Sequence, residues 1–155
     1  MVVFLVGFMG SGKNWWGRSL AGKLDIPFFD LDAEVEKSTG MDIVSIFRDN
    51  GEAFFREKEM QVLSGLYENF TGTIKSNNSP VSSVNAIIAT GGGTPCFGEN
   101  MQWMNGHGLT VWLNPAITEL VSRLEKETEK RPLLQGKSGN ALTDFIDNKL
   151  AERKP

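Results

Sequence analysis

The sequence predicts an α/β protein, a central parallel sheet covered by helices on both faces in three layers. Two observations carry this. Short β-branched, apolar runs alternate with longer segments of helical periodicity, and two of these runs lead into glycine, at Gly7 and at Gly91. Strands buried on both faces have no polar side, and each needs a right-handed helical crossover to reach its parallel neighbour. Val2 to Val6 is the first such run, and Lys13 to Leu24 follows with Leu20, Ala21 and Leu24 at helical spacing and Gly22 as a weak point. A second strand is predicted over Pro27 to Leu31, then a short helix over Ala33 to Thr39. Asp42 reads as the N-cap of a helix carrying Ile43, Ile46 and Phe47 inward, with Gly51 in the turn beyond it and the next helix over Glu52 to Glu68. From Asn69 to Val84 the composition shifts to Thr, Ser, Asn, Gly and Pro, a surface loop. Asn85 to Ala89 is a third buried strand and Leu109 to Leu113 a fourth, with a short helix near Glu99 to Asn105 between them. Pro115 suits the first turn of a helix that continues through Ile117, Leu120, Val121 and Leu124. Pro132 to Gly139 reads as an exposed, hinged flap, and a last helix spans about Ala141 to Glu152.

Length and charge narrow the function. The 155 residues suit one domain, and 16 basic against 19 acidic residues with no Lys/Arg block disfavour nucleic acid as a partner. The apolar runs near the N-terminus are broken by Gly7 and too short to span a bilayer, and no charged segment precedes them as in a secretory signal. The lone Cys96 permits no internal disulfide and reads as a small buried hydrophobe. A cytoplasmic protein acting on small molecules is the expectation.

Gly7-Phe8-Met9-Gly10-Ser11-Gly12-Lys13 is a G-x-x-x-x-G-K phosphate-binding loop, placed directly after a predicted strand and before a predicted helix. Glycines let the backbone turn its N–H groups onto phosphate oxygens, the helix N-terminus adds partial positive charge, and Lys13 reaches the outer phosphates. An ordinary glycine turn is the plainer alternative, but the strand-to-helix context speaks against it. The loop usually continues with a Ser or Thr that binds Mg²⁺; here Asn14 follows, then Trp15 and Trp16. An amide oxygen is also a hard neutral ligand, so Asn14 suits the metal, directly or through water; loss of the metal contact, and of activity, is the competing reading. Trp15 and Trp16 have no evident mechanism.

Asp30 and Asp32, two apart at the carboxyl end of the second strand, are expected to face the loop on one side. Acids there hold magnesium through water, position an acceptor hydroxyl or take its proton; Asp32 also reads as a helix N-cap. Arg56 and Glu59 are three apart on a helix, either a guanidinium fixed by a carboxylate or a plain surface ion pair. Gly91, Gly92 and Gly93 after the third strand let backbone approach a ligand, or form a bare turn.

Together with Phe29-Asp30-Leu31-Asp32, Gly51-Glu52-x-x-Phe55-Arg56-x-x-Glu59, Thr90-Gly91-Gly92-Gly93, Arg131-Pro132-Leu133-Leu134 and Arg153-Lys154-Pro155, the loop gives a set of blocks in the order and approximate spacing of shikimate kinases. The chain resembles that family over almost its whole length. The resemblance implies a P-loop kinase fold with a mobile lid at about 125–140, and transfer of the ATP γ-phosphoryl group to the 3-hydroxyl of shikimate with Mg²⁺, by a monomer. It implies that Gly10, Ser11, Gly12, Lys13, Asn14 and Trp15 wrap the phosphates, with Asn14 and Asp30 toward the metal. Asp32 would bind the ring hydroxyls and act as base, with Lys13 and the lid residue Arg131 completing the catalytic set. Arg56 and Arg153 would clamp the substrate carboxylate beside Gly91, Gly92, Gly93 and Glu59, and Phe47 and Phe55 would wall the pocket. The family continues past the Arg-x-Pro block into a fifth strand and final helix, so the chain reads as slightly less than one such domain. Two rivals are a P-loop kinase of another hydroxylated metabolite such as gluconate, and a non-catalytic nucleotide-binding relative. His107 reads as a loop residue, and Met101, Trp103 and Met104 as packing.

Overall fold

The computed structural model describes residues 1–72, 84–126, 134 and 136–153. Its elements are β1 (Val2–Val6), α1 (Lys13–Leu24), β2 (Phe28–Asp30), α2 (Leu31–Thr39), α3 (Ile43–Asp49), α4 (Gly51–Gly72), β3 (Ala86–Ala89), a 3-10 turn (Thr94–Cys96), α5 (Asn100–His107), β4 (Gly108–Trp112), α6 (Ile117–Leu124) and α7 (Gly139–Arg153). The four strands form one parallel sheet in the order β2-β3-β1-β4.

β1 is apolar throughout because it has two dry faces. Val3 and Leu5 pack with Ala21, Ile87 and Ala89 on the α1 side, while Val2, Phe4 and Val6 pack with Leu31, Leu63, Ile88 and Met104 on the other. β4 lies at the sheet edge, and there Leu109 and Trp112 are exposed. The chain leaves β1 toward β2 and leaves β3 toward β4, in opposite directions across the sheet. The crevice where connections diverge is where α/β sheets hold ligands. It brings the segment after β1 beside the segment after β3, so that a Cβ on Gly92 would stand 3.0 Å from the Met9 nitrogen.

Several boundaries differ from expectation for local reasons. β2 stops at Asp30 because α2 already begins at Leu31, and the cap is Asp30, whose Oδ1 accepts from the Asp32 nitrogen at 3.2 Å. Asp32 is thus neither on the strand nor the cap. Pro115 precedes the α6 cap, Ala116, and so stands outside the first turn. α4 runs on to Gly72, and the rest of the predicted 69–84 loop up to residue 83 lies outside the described residues. His107 is the last residue of α5, stacked on Trp103 at 4.2 Å, because the helix continues through Gly106. Cys96 is exposed, since the 3-10 turn carries it to the surface.

Among its described residues, the predicted flap is not wholly exposed. Leu134 is fully buried among Phe8, Leu120, Leu124, Leu142 and Ile146. Burying a leucine contributes about 1.5–3 kcal/mol, enough to hold that position against α6 and α7.

Candidate active site

The phosphate loop leaves β1 at Gly7 and returns into α1 at Lys13. Gly7, Gly10 and Gly12 have φ of 150°, 78° and 90°, conformations in which a Cβ is strained. Gly7 is also crowded: a Cβ there would lie 2.5 Å from the Leu113 carbonyl oxygen and 2.8 Å from the Ser11 hydroxyl. α1 begins without a side-chain cap and without an acidic residue in its first turn. The initial N–H groups of a helix have no partner within it and suit an anion at this end. Lys13 is buried and its ammonium donates to the carbonyl oxygens of Gly7 and Phe8 at 2.8 and 3.0 Å. Among the described residues Ser11 Oγ is a buried hydroxyl with no hydrogen-bond partner. Arg123, which the sequence reading missed, reaches in from α6 and donates to the Gly10 carbonyl oxygen at 3.0 Å and to Glu119 at 3.2 Å. Its only sequence signal was a cation on the exposed side of a helical stripe, which is what most surface arginines look like.

A cavity of about 520 Å³ opens from the loop toward β2 and β3. Met9, Gly10, Lys13, Asp30, Asp32, Thr90 and Gly92 line it, together with Asn14, Trp15, Trp16 and Arg123. Burial, then the neighbouring charges of Glu59 and Asp30, push the Asp32 carboxyl up to about 6 from its ordinary 3.8, with Lys13 and Arg56 pulling the other way. An acid in that range is matched to proton transfer near neutral pH.

On the far side, Glu59 is fully buried on α4. It accepts from Arg56 Nη1 at 2.8 Å and from the Thr94 hydroxyl. Glu52 accepts from Arg56 Nε and Nη2 at 3.2 and 3.1 Å. Burial opposes the charge of Arg56, but the Glu59 and Glu52 carboxylates more than offset it and hold the guanidinium above its usual range. The pair is therefore no free surface ion pair. Phe55 is buried, forms a tilted pair with Phe47 at 4.9 Å, and lies 5.1 Å beneath the guanidinium; Phe97, also missed, lies 5.4 Å from it.

The triple glycine makes this convergence possible. A Cβ on Gly91 would meet Glu59 Oε1 at 2.7 Å and Asp32 Oδ1 at 2.9 Å, and one on Gly93 would meet Arg56 Nη2 at 2.6 Å. A bare turn would not need such clearance. Thr94, the other residue missed, is buried and ties this turn to Glu59.

Asn14 and Asp30 meet across the loop, Asn14 Nδ2 donating to Asp30 Oδ2 at 2.5 Å. Both carry hard oxygen donors, and among the described residues no cluster of three or more His, Cys, Asp or Glu could hold a metal ion. A cation here would take one or two protein ligands and the rest from phosphate and water, which fits Mg²⁺. Arg131 and the Arg153 side chain lie outside the described residues, as does half of the predicted lid.

A phosphate loop at the switch point of a parallel sheet, sharing a cavity with the acid Asp32, defines a P-loop phosphotransferase of small molecules. Comparison with known proteins narrows the class. The shikimate kinase profile matches residues 9–155. The shikimate kinase of Bacteroides thetaiotaomicron is 40% identical over 153 residues, 99% of this chain and 79% of that protein. A crystal structure of shikimate kinase from the same organism superposes with a TM-score of 0.83 at 39% identity, covering 99% of this chain and 79% of that one. The Acinetobacter baumannii shikimate kinase solved in complex with shikimate gives 0.76 at 32% identity, covering 97% and 76%. The chain belongs to the shikimate kinase family.

Proposed function

We propose that this chain transfers the γ-phosphoryl group of ATP to the 3-hydroxyl of shikimate, giving shikimate 3-phosphate and ADP. The observation that carries the reading is a cavity that joins the phosphate loop to Asp32, with Arg56 held nearby on α4 by Glu59. The roles of individual residues follow from their chemistry. The loop and Lys13 hold the phosphates, the lysine exchanging its carbonyl partners for phosphate oxygens. Asp32 accepts the proton of the attacking hydroxyl. Arg56 presents a planar fork suited to a carboxylate, with Arg153 as its proposed second arm and Gly91 to Gly93 shaping the floor. Phe55 supports Arg56 from below, and Phe47 borders the acceptor side. Arg131 is assigned to the lid, where closure excludes water that would hydrolyse ATP.

When bound, Mg²⁺ neutralises charge on the transferring phosphoryl group, and Asn14 and Asp30 are the residues that would hold it. Among the described residues no helix is long and apolar enough to cross a membrane; a cytoplasmic monomer remains the proposal.

Release of ADP measured with shikimate, quinate, gluconate and AMP as acceptors tests the reading, with Asp32→Asn as control. Shikimate-dependent turnover that the variant loses is expected. Turnover with gluconate or AMP alone, or nucleotide binding without turnover on any acceptor, would overturn it.

A further inference from the structure

The indole rings of Trp15 and Trp16 supply neither a charge for phosphate nor a base for the acceptor. They are 65% and 55% exposed, an unusual position for two adjacent tryptophans, yet both line the nucleotide cavity with Gly10, Gly12 and Lys13. Their rings meet edge to face, 4.6 Å apart at 88°, so each restricts the other. Side chains in a helix lean toward its N-terminus and cover the turn before their own Cα. In the first turn of α1 that direction is toward the phosphate loop. Trp16 accordingly reaches back over Gly12: its Cδ1 and Nε1 lie 3.5 and 3.9 Å from where a Cβ on Gly12 would stand, and Arg123 Nη1 lies 3.6 Å from the same point. Gly12 itself has no side chain to fill that space.

A nucleotide with its outer phosphates at Lys13 must carry its ribose and base outward from the loop. An indole face stacks on any base, because every base has a π face, and one indole N–H cannot read a full hydrogen-bonding edge. We propose that Trp16, braced edge-on by Trp15, is the nucleobase platform of this site. It holds the base by stacking, so adenine and guanine nucleotides bind with similar affinity. The proposal rests on the reading of the cleft as a nucleotide site and adds its base specificity.

Isothermal titration of the full chain with Mg²⁺ and ADP, GDP or inorganic tripolyphosphate tests it, using the wild type, Trp16→Ala and Trp16→Phe. Wild-type affinities for ADP and GDP within about threefold are expected. Loss of a stacked base corresponds to about tenfold weaker binding, so Trp16→Ala should weaken both nucleotides by about that factor and leave tripolyphosphate within twofold. Trp16→Phe, which keeps a ring, should recover most of the loss. Three results would overturn the platform: unchanged nucleotide affinity in Trp16→Ala, equal weakening of tripolyphosphate, or strong wild-type preference for ADP. Failure of the acceptor reading looks different, since nucleotide binding would then respond to Trp16 as expected while shikimate turnover stayed absent.

Discussion

Asp32 shows how a single residue trades stability for chemistry. Folded, it holds its proton up to about pH 6, whereas unfolded it releases it near 3.8. Between those values the folded state binds more protons, so its stability falls as pH rises, by up to about 3 kcal/mol above the window. Asp32→Asn is therefore expected to raise the melting temperature at pH 7 to 8 by several degrees while abolishing turnover. The gain should shrink toward pH 4, and thermal melts across that range check it. Wild-type kcat/KM should rise with pH through about 6 as the base of the free enzyme deprotonates, which a pH–rate profile reads directly. Glu59 presents the opposite case. Its charge is fully buried but paired, and removing one partner of such a pair costs about 3–5 kcal/mol. Arg56→Ala would thus confuse unfolding with lost binding, and Arg56→Lys, which keeps the charge and loses the fork, is the cleaner probe.

At the scale of the element, α1 contains two helical glycines with different reasons for being there. A Cβ on Gly17 would lie 2.3 Å from the Phe28 ring and 3.1 Å from Leu5, so the glycine lets α1 sit down on the sheet beneath the phosphate loop. Gly22 has nothing within 4 Å. Gly22→Ala should stabilise by about 0.5–1 kcal/mol through helix propensity alone. Gly17→Ala should destabilise by at least about 1–3 kcal/mol through overpacking. Urea melts of both variants measure the contrast, and a stabilised Gly17→Ala would contradict the packing described. In sequence the two glycines look alike, because propensity sees the helix and not the strand beneath it.

In the molecule as a whole, one sheet end hosts two half-sites from different stretches of chain. On the proposed reading the loop after β1 takes the phosphates, while α4 and the turn after β3 take the acceptor. Ligands that bind only the folded state stabilise it in proportion to the logarithm of their concentration over Kd. ADP and shikimate should therefore each raise the melting temperature, and Arg56→Lys should remove most of the shikimate shift while keeping the ADP shift. Equal loss of both would mean that Arg56 supports the fold of the whole crevice instead.

The sequence by itself determined what local rules govern: the alternation of strand and helix, the phosphate loop at its strand-to-helix junction, the Asp42 cap, and the Arg56–Glu59 spacing. Each depends on residues close together in the chain, so periodicity, capping and glycine chemistry suffice to read it. Only the tertiary structure decided which groups meet across the sheet. It put Asp30 at the α2 cap and so released Asp32 to the cavity, buried Leu134 within a segment that reads as exposed, and brought Arg123 to Gly10 from 113 residues away. It also showed why three glycines stand in a row, each clearing space for a group from another element. Those contacts depend on strand order, and strand order is fixed by how two apolar faces pack, which no local pattern in the chain records.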